Sequence, residues 1–223
     1  MDVFELNGKV ELIIDDHMII EGIIHDFSDD KLYVSFISDE KQFKLLYVDD
    51  IVNCVVFKGN HCHSFDATIT NRIKGDFPTY ELSDLRNFIK IQRRQDVRVP
   101  YTDSIRFSIN PYLLDLSMNE MQKQISSINK YFMSGRILDL SAGGIKFSSN
   151  KNLNKNQIII FQLRIDKDTV LLKGRILHKS ISVSPKDTIY TYGAEFLDIS
   201  EVLREKIIKY LFIIMRKNRI KKR

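Results

Sequence analysis

The sequence predicts a mainly-β protein of two small antiparallel β domains, with one inserted helix and one C-terminal helix. Three observations carry this. Short runs rich in β-branched residues recur along the 223 residues, separated by polar turns. No apolar run approaches the ~20 residues that span a bilayer. The charge is split: residues 1–90 hold 9 Lys/Arg and 17 Asp/Glu, and residues 91–223 hold 25 and 12, within a formal net charge of +5. An acidic first part and a basic second part suggest two domains with different tasks, the second suited to an anionic ligand.

The first domain, expected over residues 1–88, reads as strands at 9–14, 18–27, 31–36, 42–48, 51–57 and 64–73. Turns such as Ser28-Asp29-Asp30 and Lys58-Gly59-Asn60 separate them. Strands this short, with turns this frequent, fit a small antiparallel barrel or sandwich. Residues 89–98 read as a linker, partly extended, that carries Arg93, Arg94 and Arg98. Val99-Pro100 closes it, because a residue before proline disfavours helix.

The second domain, 99–223, has strand patterns at 105–109, 134–140, 144–148, 157–165, 170–182 and 188–196. Alternation is plain in Ile137-Leu138-Asp139-Leu140 and Ile145-Lys146-Phe147. Six strands with hairpin-length connections argue for a β-barrel. A helical insertion is expected at about 112–133. Ser117 and Glu120 have the spacing of a capping box. Met118, Met121, Ile125, Ile128 and Phe132 then form one narrow apolar stripe. It would pack on its own barrel or on a second copy, as a coiled-coil seam does. A C-terminal helix is expected at about 200–216. Leu203, Ile207, Leu211 and Ile214 form one apolar face, while Val202, Ile208, Phe212 and Ile213 add another, so burial on two sides is expected, with a homodimer among the options. A basic tail follows, from Arg216 to Arg223.

Several chemistries lack support. His61-Cys62-His63 has metal-ligand residue types, but on a strand the two histidines share one face and the cysteine takes the other. No second well-spaced pair accompanies them, so no metal is expected. The chain lacks a phosphate-cradling Gly-rich motif, a Gly-x-Ser-x-Gly elbow and a His-Glu-x-x-His helix, and Ser141 has no histidine near it in sequence. Enzyme activity therefore has no warrant. Two cysteines, Cys54 and Cys62, make no disulfide framework. The N-terminus has no basic n-region or apolar h-region. A cytoplasmic location is the expectation.

The most informative pair of segments is Ile91-Gln92-Arg93-Arg94-Gln95-Asp96-Val97-Arg98 and Asp139-Leu140-Ser141-Ala142-Gly143-Gly144. Clustered guanidinium groups suit a phosphate or a guanine edge, because the fork is planar, permanently charged and bidentate. Taken singly, the first is an ordinary basic linker and the second an ordinary hairpin. In this order the two resemble the paired motifs of PilZ domains, receptors for cyclic di-GMP. Tyr192-Gly193-Ala194-Glu195-Phe196 resembles the late-strand Gly-x-x-Phe pattern of the same family. The acidic β-rich part resembles the N-terminal domain of YcgR-like flagellar brake proteins.

The resemblance implies a split-barrel-like first domain and a six-stranded PilZ barrel as the second. It implies cyclic di-GMP as ligand, with Arg93, Arg94 and Arg98 on the phosphates and on the guanine N7/O6 edge, and stacked on the bases. Asp139 would accept from guanine N1 and N2, Ser141 would bond a phosphate or base edge, and Gly143 and Gly144 would allow close backbone approach. It also implies a protein partner, in the flagellar motor or other output machinery controlling motility or surface behaviour. The insertion from Pro111 to Met133 departs from the family, where a short turn is usual. Two other readings stay open: a PilZ-like interaction scaffold without ligand, and a basic nucleic-acid-binding protein. Against the latter, the basic residues are spread over strands and tail, and no aromatic-rich RNA-binding signature accompanies them.

Overall fold

The computed structural model describes residues 3–14, 18–37, 46–59, 61–74, 78–184 and 187–220. The chain divides into two compact units, Met1–Gln95 and Asp96–Arg223. Each contains one closed six-stranded barrel.

The first unit contains β1 (Lys9–Ile13), β2 (Ile19–Phe27), β3 (Leu32–Ile37), β4 (Ile51–Lys58), β5 (His61–Ile73) and β6 (Thr79–Ile91). They pair antiparallel in the order β1-β2-β3-β6-β5-β4, and β1 meets β4 to close the ring. Closure removes the exposed edges that short strands would otherwise present. Period-two burial drives it: along β2, Ile20, Gly22 and Ile24 are buried and the residues between them are exposed. Phe4, Phe65 and Phe88 pack together, with Phe65 and Phe88 stacked at 5.0 Å. Cys54 also faces this core, where burial pushes its thiol pKa up to about 12.

Two sequence expectations for this unit need correction. The strand expected at 42–48 lies largely outside the described residues, and residues 46–48 are not in a strand. The sixth strand is instead β6, which has no counterpart among the expected strands and runs three residues into the expected linker. Its pattern is broken by two extra residues relative to β5, near Asp84 and Asn87. Both take left-handed backbone, at φ 53° and 57°. Asn and Asp tolerate that conformation best among non-glycine residues. Such bulges turn the strand and re-aim its side chains. Leu85 and Phe88 therefore still pack on the core, although they are three positions apart.

The second unit contains β7 (Val99–Ser108), β8 (Met133–Ser141), β9 (Gly144–Ser149), β10 (Ile158–Ile165), β11 (Asp168–Val183) and β12 (Thr188–Leu197). Their order is β10-β11-β12-β9-β8-β7, closed by β7 against β10. Phe147 centres the core, with Phe107, Phe161 and Tyr192 rings at 5.4, 5.3 and 5.3 Å. Tyr192 is fully buried, and its hydroxyl donates to the Lys151 carbonyl and accepts from Leu153 N–H. The first strand starts at Val99, six residues before the expected position, with Pro100 at the strand's beginning, where a missing N–H is tolerated.

The insertion is three short helices rather than one. They are α1 (Pro111–Asp115), α2 (Met118–Lys123) and α3 (Ile125–Ile128), followed by a 3-10 turn at Asn129–Tyr131. Ser117 and Glu120 form the capping box at α2. The stripe of Met121, Ile128 and Phe132 is buried with Leu113 against Ile160 of β10 and Leu171 of β11. Their neighbours Ile159, Phe161 and Leu172 face the barrel core, so both faces of these strands are covered. The stripe thus packs on its own barrel.

The C-terminal helix α4 runs Glu201–Ile220, one turn longer than expected, and so includes Arg216, Lys217 and Arg219. It buries Ile207, Leu211 and Ile214 on the barrel core. Its second apolar face is not buried: Val202 and Phe212 are 80% and 58% exposed. No described helix is long and apolar enough to cross a membrane.

Candidate functional site

The sequence motifs occupy defined places in these two units. In the first, β6 ends at Ile91 and the chain continues through Gln92, Arg93 and Arg94. Arg93 is committed: its Nη1 donates to Glu11 Oε2 at 2.5 Å, and its guanidinium lies 5.7 Å from the Phe57 ring centre. Lys9 flanks the same carboxylate at 2.9 Å. Burial alone would raise the Glu11 carboxyl, but the hydrogen bonds from Arg93 and Lys9 outweigh it and hold Glu11 below the usual carboxylate range. Arg94 is exposed, and its carbonyl accepts from the Gln92 side chain at 3.0 Å.

In the second unit, β8 and β9 form a tight hairpin around Ala142-Gly143. Asp139 is half-buried, opposite Pro100 on one side and Lys146 on the other. Ser141 is buried, and its hydroxyl donates to the Gly144 carbonyl at 3.2 Å. The Gly143 carbonyl accepts from Phe196 N–H at 2.8 Å. The turn is thereby fixed to both its own hairpin and β12.

The two glycines do not serve a left-handed turn, as hairpin chemistry suggests; neither has positive φ. They serve close approach instead. A Cβ on Gly144 would lie 2.4 Å from the Ala194 carbonyl oxygen, against rigid backbone. A Cβ on Gly143 would lie 2.6 Å from Asp96 Oδ2. Asp96, between Arg94 and Arg98 in sequence, therefore sits directly on the hairpin turn.

Asp96 is held there by Arg204 of α4, which donates from Nη2 to Asp96 Oδ1 at 2.5 Å. Neither residue was singled out from sequence. In sequence Asp96 reads as a spacer among arginines, and Arg204 as a solvated helix cation. Only the fold brings residues 108 positions apart together.

Arg98 takes a different place. It is exposed and lines a cleft of about 770 Å³ with Pro100, Tyr101, Tyr210 and Lys217. The Tyr101 hydroxyl donates to Asp103 at 2.6 Å and lies 2.8 Å from the Tyr210 hydroxyl, tying β7 to α4. Burial, then these hydrogen bonds, push the Tyr101 phenol well above its ordinary pKa. Within the second unit the structure therefore brings Asp139, Ser141, Gly143 and Gly144 together with Asp96, while Arg98 faces the cleft along α4.

Among the described residues, no group of His, Cys, Asp and Glu has metal-site geometry. His61 and His63 pair with Lys58 and Val56 across β4, and Cys54 is on the core side opposite Phe65.

Comparison with known proteins places this arrangement. The PilZ domain matches residues 92–212, and the flagellar protein YcgR matches residues 5–84. The inhibitor of motility MotI/DgrA of Bacillus subtilis superposes with a TM-score of 0.67 at 15% identity, over 99% of this chain and 100% of that one. YcgR of Escherichia coli in complex with c-di-GMP superposes with a TM-score of 0.52 at 14% identity, over 97% and 87%. No curated protein sequence matches. With its second barrel, arginine segment and hairpin turn all inside the matched region, the chain belongs to the PilZ domain family, preceded by a YcgR-type N-terminal domain.

Proposed function

We propose that this protein is a cyclic di-GMP receptor that acts through protein contacts rather than catalysis. The observation that supports this most is the placement of Asp96, which lies between Arg94 and Arg98 in sequence, against Gly143 of the Asp-x-Ser-x-x-Gly turn. In PilZ domains that pair of motifs is the ligand site. The Escherichia coli YcgR structure, which shares the fold, was determined with c-di-GMP.

In this reading Arg93, Arg94 and Arg98 hold the phosphates and the guanine N7/O6 edges. Asp139 accepts from guanine N1 and N2, Ser141 bonds a phosphate or base edge, and Gly143 and Gly144 admit the ligand close to the backbone. The ligand closes the segment at 92–98 onto the barrel and changes the angle between the two domains. Its leverage is limited to its differential affinity for the two states. Micromolar binding would supply about 8 kcal/mol in all. The output is control of motility or surface behaviour through a protein partner, in the cytoplasm. No metal is needed.

Titration calorimetry with cyclic di-GMP tests the reading. Wild-type protein should bind, and Arg94→Ala and Arg98→Ala should each weaken binding by about tenfold or more, the scale of a lost charge-assisted bond. No binding by the wild type would refute it. Binding unchanged in both variants would refute the residue assignment. Small-angle scattering with and without ligand checks the change in domain angle.

A further inference from the structure

The Asp96–Arg204 ion pair is not explained by the roles given above. Asp96 places a negative carboxylate over Gly143, at the surface where the proposed ligand would bring its own negative phosphates. A guanidinium binds carboxylate and phosphate by the same fork geometry. Arg204 Nη2 is 2.5 Å from Asp96 Oδ1. The second carboxylate oxygen, Oδ2, is the atom that a Cβ on Gly143 would strike at 2.6 Å, and Arg204 Nη1 would be 3.9 Å from that same Cβ. One guanidinium thus reaches the turn through a single intervening carboxylate.

We infer that Asp96 is an internal stand-in for a ligand phosphate, and that Arg204 is a further anion-binding residue outside both sequence motifs. In the ligand-free protein Asp96 neutralises Arg204 and covers the turn. When ligand arrives, a phosphate replaces the Asp96 carboxylate on Arg204, and the Asp96 side chain turns off the hairpin while the arginines of its segment close on the ligand. The exchange conserves one ion pair, so the lost Asp96 contact is offset by the new phosphate contact. The pair is only partly buried, with side chains 22% and 34% exposed, as an exchangeable contact requires. This inference rests on the receptor reading and deepens it.

Three variants and two measurements test it. Amide hydrogen exchange on ligand-free protein should accelerate at residues 142–144 in Asp96→Asn and in Arg204→Ala, because each opens the cover. Unchanged exchange in both would overturn the closed pair. Calorimetry with cyclic di-GMP should give Asp96→Asn an affinity about fivefold tighter than wild type, the scale of one partly exposed ion pair no longer competing. Arg204→Ala should bind about tenfold more weakly, and Arg204→Lys should fall between it and wild type. Thermal melting checks that each variant is folded. If wild type binds but Asp96→Asn does not tighten, or Arg204→Ala tightens, the inference fails and the receptor reading stands. If neither wild type nor Asp96→Asn binds, both fail.

Discussion

The two barrels have the same closed, six-stranded antiparallel plan, but they depart from regularity in different places. In the first, the irregularity is inside a strand: β6 carries two extra residues beside β5, near Asp84 and Asn87. In the second, three strand pairs are also bulged, but the larger additions lie between and after strands: α1 to α3 separate β7 from β8, and α4 follows β12. A bulge bends a strand without adding a layer. An insertion adds a layer, and here it covers the outer faces of β10 and β11 through Ile160 and Leu171. The second barrel therefore has an inner and an outer core, while the first has an inner core alone among the described residues. The proposed ligand surface belongs to the barrel that is braced on the outside.

Denaturant unfolding tests this contrast. The largest effect should come from the inner core: Phe147→Ala should destabilise the second unit by about 3–5 kcal/mol, since the ring contacts three other aromatic rings. Leu113→Ala, in the outer core and fully buried, should cost about 2–4 kcal/mol. An unchanged midpoint for Leu113→Ala would mean that the added layer is not part of the cooperative fold. Gly144→Ala should cost about 1–3 kcal/mol, because its Cβ meets backbone. Gly143→Ala meets only the movable Asp96 carboxylate and should cost clearly less.

In the first barrel, Asn87→Ala should cost about 1–2 kcal/mol from its left-handed backbone and the lost hydrogen bond to Asp66. Asn87→Gly, which keeps that backbone accessible, should recover part of the loss. Equal effects of the two would remove backbone conformation as the reason for the bulge. The smallest effect is at Glu11. Its folded carboxyl pKa is lowered, so its contribution is present above the unfolded value, about 4.3, and is lost as pH falls through the folded value. Glu11→Gln should lower stability at neutral pH by about 1 kcal/mol and flatten the acid limb of the pH profile. A pH profile identical to wild type would show that Arg93 is not held by this charge.

Much of the molecule was legible before any coordinates. In the second barrel, period-two alternation marked five strands to within two or three residues, because burial on one face demands it. The capping box named the start of α2. Where the period broke, the reading failed. The bulged half of β6 shows no period-two signal because its apolar residues, Leu82, Leu85 and Phe88, fall three apart. The insertion looked like one helix because its stripe keeps helical spacing, although the chain breaks at Gln124. The two apolar faces of α4 suggested burial on both, whereas the barrel offers it only one apolar surface.

The same division holds at the proposed site. The arginines and the Asp139–Gly144 hairpin are local patterns, and a local pattern is visible in the order of residues alone. The reasons for the glycines, and the pairing of Asp96 with Arg204, depend on which strand or helix lies across from them. Gly144 is required by the Ala194 carbonyl, fifty residues away, and Asp96 is held by a helix more than a hundred residues on. The regular strands, the α2 cap and the motif residues are written in the order of residues, because they follow from short-range periodicity and side-chain chemistry. Which charges meet and which backbone must stay bare depends on the folded chain, because barrel closure, not chain proximity, sets those neighbours.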